Sequence, residues 1–201
     1  MRFTNGAHWI TIRADPHMQS LCSARFGERM PMIGVHNGMV TIRYSRVPIC
    51  DWLDCRSECP AEVALNARIP WEIEVRGCAS QLVADLRGLR LGSLSVDGGA
   101  SRLEVLLPVP SGTVAIFILG GASNVAIHRP EGIAARLHVV GGATLLKFDD
   151  RGIGAAGGEL DLRSRGYDGA TARYDVAVTG GANNVTIDEQ RELKGSGAVQ
   201  A

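Results

Sequence analysis

An excess of charge of either sign is missing from this chain. Among its 201 residues, 21 Lys and Arg balance 21 Asp and Glu, for a formal net charge of zero. The basic footprint of a nucleic-acid or anionic-membrane binder is therefore lacking, and no nucleic-acid partner is expected. Aromatic side chains make up only 5% of the chain. The longest continuous apolar run, Val114 to Leu119, falls far short of the roughly 20 residues a spanning helix needs, so direct membrane insertion is not expected. The opening stretch MRFTNGAHWITIRADP has no continuous apolar segment of the kind a secretory signal uses, and the expected location is the cytoplasm. The cysteines, Cys22, Cys50, Cys55, Cys59 and Cys78, form an odd set, unlike the even disulfide framework of small secreted proteins, and suit reduced thiols. Walker and GxSxG signatures are lacking, and no cofactor is expected.

What the chain does have is 25 glycines, and many of them recur in register. Gly77-Cys78-Ala79-Ser80-Gln81-Leu82 returns as Gly98-Gly99-Ala100-Ser101-Arg102-Leu103, as Gly120-Gly121-Ala122-Ser123-Asn124-Val125, as Gly141-Gly142-Ala143-Thr144-Leu145-Leu146 and as Gly180-Gly181-Ala182-Asn183-Asn184-Val185. The first three steps are about 21 residues and the last is nearly twice that, with Gly157-Gly158-Glu159-Leu160 inside it as a degenerate copy forming one irregular turn. Two and four residues before each Gly pair stand apolar residues (Val75 and Ile73, Val96 and Leu94, Ile118 and Ile116, Val139 and Leu137, Val178 and Val176), the mark of a strand with one buried face. A second alternating strand follows each pair, and turn residues such as Pro108 to Gly112 and Pro130 to Gly132 close the period.

Two strands and two turns per period predict an all-β fold, a β-solenoid of stacked coils of about 21 residues with right-handed winding expected; closure into two packed sheets stays open. Identical corners piled one strand spacing apart leave no room for large side chains and favour positive φ, which suits the Gly-Gly-Ala corners. Ser80, Ser101, Ser123, Thr144 and Asn183 share a column beside that corner, where short polar side chains can bond corner backbone groups. Residues 1–60 are expected to form an irregular cap, with Asn37-Gly38 marking a hairpin. Residues 61–188 are the repeat domain, beginning with a coil from Ala61–Leu65 and Trp71–Val75, and 189–201 a polar tail.

The iterated GGAS-N-V-x-I, the L-P-x-G turns and the closing GYDGATARYDVAVTGGANNVTI resemble the toast-rack or adhesin-like repeat domain of bacterial cell-envelope-stress proteins, over about residues 61–188. That resemblance implies a stacked all-β repeat, usually attached to other domains, without an established catalytic site, and so a scaffolding or interaction role. The chain departs from envelope-linked members in having no transmembrane segment.

Several groups could carry chemistry. Cys50, Cys55 and Cys59 could bind zinc with His36 or Asp51, but neither gap repeats zinc-knuckle spacing, and a loop anchored by Trp52 and Leu53 explains them as well. Asp85, His128, Asp149 and Asp188 fall in one outward column that could hold a cation or act on a sugar, the latter requiring carboxylates about 5 Å or 6.5–9.5 Å apart. No segment supplies nucleophile, base and orienting group together. Phe117, Leu119 and Val140 point outward from the middle coils and are expected to form one apolar patch, open to a partner or covered by the N-terminal segment with Trp9, Phe26 and Met30 to Ile33. The expectation is a non-enzymatic scaffold or interaction module, with a protein partner or self-assembly. A carbohydrate-binding or carbohydrate-active β-helix, or a metal protein built on the three cysteines, is the alternative.

Overall fold

A computed structural model describes residues 1–4, 9–27, 30–44, 60–77, 80–99 and 101–190. The first strands are β1 (Arg2–Thr4), β2 (Trp9–Asp15), β3 (Cys22–Phe26), β4 (Met32–His36), β5 (Met39–Arg43) and β6 (Pro60–Asn66). The glycine-cornered pairs follow as β7 (Pro70–Arg76) with β8 (Gln81–Asp85), β9 (Arg90–Asp97) with β10 (Leu103–Leu106), β11 (Thr113–Leu119) with β12 (Ala122–Pro130), and β13 (Ala134–Val140) with β14 (Ala143–Phe148). After β15 (Arg151–Ala156) and β16 (Glu159–Arg163), a single 3₁₀ turn at Tyr167–Gly169 leads into β17 (Arg173–Thr179) and β18 (Ala182–Gln190).

These strands build two nine-stranded sheets, in the orders β16-β13-β17-β11-β9-β7-β1-β5-β4 (sheet A) and β15-β14-β18-β12-β10-β8-β2-β6-β3 (sheet B). The two orders match layer by layer, each layer taking one strand from each sheet. Apolar residues meet in register across the strands: Phe3 between Ile42 and Val75, then Val96, Ile118, Val178, Val139 and Leu160 in sheet A. Sheet B aligns Ile12, Ala84, Val105, Ile127, Ile187 and Phe148 in the same way. The two sets of side chains form one core that runs through the stack.

The stack does not follow chain order. The last strand pair, β17 and β18, lies between the β11/β12 layer and the β13/β14 layer. The first pair, β1 and β2, likewise lies between the β5/β6 layer and the β7/β8 layer. Each end is closed by antiparallel strands, β3 and β4 at one end and β15 and β16 at the other. A solenoid with coils in sequence is thus corrected: successive repeats stack in order only from β7 to β12. The stretch 1–60 is not a separate cap, because β1 and β2 are interior strands and the division at residue 60 follows no break in the sheets. Ala61–Leu65 and Trp71–Val75 do not make one coil, since the β1/β2 layer separates β6 from β7. Gly157 and Gly158 join the two end strands β15 and β16, so the long final step holds a reversal rather than an irregular coil. The Asn37-Gly38 hairpin forms as the dipeptide dictates, with φ of 49° and 75°. Of the tail, Glu189 and Gln190 complete β18, and 191–201 lie outside the described residues.

Candidate interaction surfaces

The corners pile up as the repeat demands, in the swapped order. Both amides of each Gly pair donate to one carbonyl, that of the residue just before the next layer's corner or, in the end layer, that of the second glycine of the reversal. Gly98 and Gly99 donate to Leu119, Gly120 and Gly121 to Thr179, Gly180 and Gly181 to Val140, and Gly141 and Gly142 to Gly158. Ala122 pairs with Ala182, and Ala182 with Ala143; Ala100 lies outside the described residues. Every one of these corner glycines has positive φ. A groove runs along the stack, lined by Ser101, Ser123, Asn183, Thr144 and the glycines. Its Gly amides are consumed by neighbouring layers, which leaves them unable to cradle an anion. Within the polar column Thr144 Oγ1 donates along the stack to Asn183 Oδ1 (2.8 Å), and one position further on Asn184 Nδ2 donates to Asn124 Oδ1 (2.8 Å).

At the far end of sheet B sits a charged cluster that alternation alone could have flagged. Val125 and Ile127 point into the core, and Arg129 continues their parity, so its guanidinium is buried at 1% exposure. It donates to Asp149 through both terminal nitrogens (2.6 and 3.0 Å), to Glu189 Oε1 (3.1 Å) and through Nε to the Ile133 carbonyl (2.5 Å). Asp149 follows β14 and Glu189 lies in β18, so one side chain ties three layers together where β18 is inserted. The column of Asp85, His128, Asp188 and Asp149 forms beside it but is divided. His128 Nδ1 meets Asp188 Oδ1 at 2.6 Å, Asp149 is taken by Arg129, Leu106 separates Asp85 from His128, and Asp85 is paired with Arg87, which holds its carboxyl below the ordinary range. Among the described residues no three His, Cys, Asp or Glu side chains are grouped to hold a metal ion. Cys50, Cys55 and Cys59, with Asp51, lie outside the described residues.

On the outer face of sheet A, one row across the strands reads Glu74, Ser95, Phe117, Ala177, His138, Asp161, and the next reads Arg76, Asp97, Leu119, Thr179, Val140, Glu159. Phe117 is 43% and Val140 42% exposed, while Leu119 is half-buried. The expected direct contact between β11 and β13 is corrected, because β17 intervenes and places Ala177 and Thr179 within the patch. Among the described residues of the N-terminal segment, Trp9, Phe26, Met32 and Ile33 lie in the three layers at the other end of the stack and do not cover it. Ion pairs flank the patch, Arg2 and Arg76 with Glu74 on one side, and Arg136 with Asp161 on the other. Arg136 holds the Asp161 carboxyl below the ordinary range. An apolar centre with a charged rim is the anatomy of a protein interface.

Residues 36–128 match the family model described as the N-terminal domain of toast_rack, DUF2154. These residues carry a toast-rack-type domain. The match begins at the β4–β5 hairpin, earlier than the resemblance expected over 61–188, and ends in β12. None of the curated proteins matches the chain. A crystal structure of a Clostridium sporogenes ATCC 15579 protein, provisionally named for cell adhesion, superimposes with a TM-score of 0.70 at 17% identity, covering 94% of this chain and 91% of that one. The fold of the chain thus has a solved counterpart along nearly its whole length, and at this identity the likeness is one of fold alone. Among the described residues no helix is long and apolar enough to cross a membrane.

Proposed function

We propose that this chain is a non-enzymatic scaffold that holds a protein partner on the outer face of sheet A. The observation that carries the reading is the position of Phe117, an exposed aromatic in the middle of a strand hydrogen-bonded to neighbours on both edges. Its backbone is fixed before any partner arrives, so docking orders little more than a side chain. Large aromatics at the centre of a polar-rimmed patch are the usual energetic anchors of interfaces. The adhesion name of the Clostridium structure and the toast-rack match support a binding role over a catalytic one.

The test is quantitative capture from a lysate of the cells that make the protein, using immobilised chain. Phe117→Asp combined with Leu119→Lys is expected to cut capture at least about tenfold, the loss of one hot spot, with circular dichroism and melting temperature unchanged. Equal capture by the folded double variant would remove this face from the account.

A further inference from the structure

The end strand β4 differs from the other three end strands. β3 carries Arg25, β15 carries Arg151, and β16 carries Glu159, Asp161 and Arg163, whereas β4 reads Met32-Ile33-Gly34-Val35-His36 without Lys, Arg, Asp or Glu. Charges on an edge are the common device that keeps its unpaired backbone groups from joining another sheet, and β4 lacks it. Among the described residues nothing covers the apolar core where it runs out here. Ile33 pairs with Ile42 and Val35 with Val40, both fully buried, yet Ile33 and Val35 are 53% and 61% exposed. At the opposite end of sheet A the matching ladder finishes on Leu160 and Leu162, which are partly buried against the core.

We infer that β4 pairs antiparallel with β4 of a second copy of this chain, centred on Gly34 and joining sheet A of the two molecules into one continuous sheet. The strand is self-complementary in that register. With Gly34 opposite Gly34, Ile33 of each copy faces Val35 of the other on the core side, and Met32 faces His36 on the outer side. No like charges meet, two core ladders that end in solvent cover each other, and the open backbone edge is satisfied by a two-fold contact that closes on itself. A Cβ added at Gly34 has no neighbour within 4 Å, so the centre of the strand is clear for close approach. This contact is independent of the Phe117 face, which lies in interior strands several layers away.

Sedimentation velocity on the purified full chain tests it. Wild type is expected to show a concentration-dependent dimer, and Ile33→Lys to weaken it by at least about tenfold, the equivalent of ~1.4 kcal/mol, by placing the introduced lysine opposite Val35 of the other copy. Ile33→Lys combined with Val35→Glu is expected to restore the dimer at low salt, because each introduced lysine then faces an introduced glutamate. Phe117→Asp with Leu119→Lys is expected to leave it intact. A monomeric wild type, an unweakened Ile33→Lys dimer, or no recovery in the charge-paired variant would each overturn the inference; circular dichroism of every variant establishes that it is folded.

Discussion

Arg129→Met is expected to lower the unfolding free energy by about 3 kcal/mol, the lower end of the cost of breaking a buried charge network by removing one partner. The lower end applies because Asp149 and Glu189 keep partial contact with water, at 25% and 39% side-chain exposure, whereas Arg129 has almost none. What is lost is four hydrogen bonds, three joining β12 to the residue after β14 and to β18, and one to the Ile133 carbonyl in the turn that follows β12. The damage should therefore be local first. Hydrogen exchange should show β17 and β18 losing protection ahead of the β7 to β10 layers. Arg129→Lys keeps the charge but not the planar fork, so it should recover only part of the loss. Tyr174 acts as a second anchor for the inserted pair: it is fully buried and its hydroxyl donates to the Pro108 carbonyl at 2.6 Å. An Arg129→Met protein as stable as wild type, with β18 still protected, would show that the cluster does not hold the insertion.

Gly180→Ala should be at least as damaging, at roughly 3 kcal/mol or more, summing a left-handed backbone penalty of about 1–2 kcal/mol and an overpacking cost of about 1–3 kcal/mol. Gly180 has φ of 96°, and a Cβ there would lie 2.9 Å from the Gly121 nitrogen and 3.1 Å from the Gly120 carbonyl carbon. Both are backbone atoms of the adjacent layer and cannot turn aside as a side chain could. Gly152→Ala is the control: no atom lies within 4 Å of its added Cβ, and a change within about 0.5 kcal/mol is expected, as for ordinary surface sites. Urea unfolding read at its midpoint, with the slope compared between variants, separates the two. Equal midpoints for Gly180→Ala and Gly152→Ala would contradict the tight stacking of the corners.

The pattern of the strands and the chemistry of the corners were legible because both are local. Ile73, Val75, Leu94, Val96, Ile116 and Ile118 alternate in sequence, and all are buried. Positive φ at the Gly pairs follows from how closely one corner must approach the next. The order of the layers was not legible, and the reason is physical. A strand that presents Val176 and Val178 inward, followed by a Gly-Gly-Ala corner, fits equally well beside any other layer of the same pattern. Periodicity therefore fixes what a layer is and leaves open which layers it lies between. Less local signals bear on that: the doubled final step, the Gly157-Gly158 reversal within it, and an arginine at an inward position of β12 that calls for carboxylates from elsewhere. The same degeneracy explains why Phe117, Leu119 and Val140 were each read as outward, yet two of them are separated from the third by β17. Leu145 shows a different gap: it has φ of 51° where the equivalent residues are Asn124 and Asn184, a conformation that a leucine gives no sign of adopting.

Contacts among three alanine methyl groups decide whether the C-terminal strand pair is inserted. With selectively labelled alanine methyls, nuclear Overhauser spectra should connect Ala182 to both Ala122 and Ala143, and should show no direct contact between the latter two. A strong Ala122 to Ala143 cross-peak, with Ala182 in contact with neither or with only one of them, would mean that the repeats stack in chain order and that the layered arrangement described above is wrong.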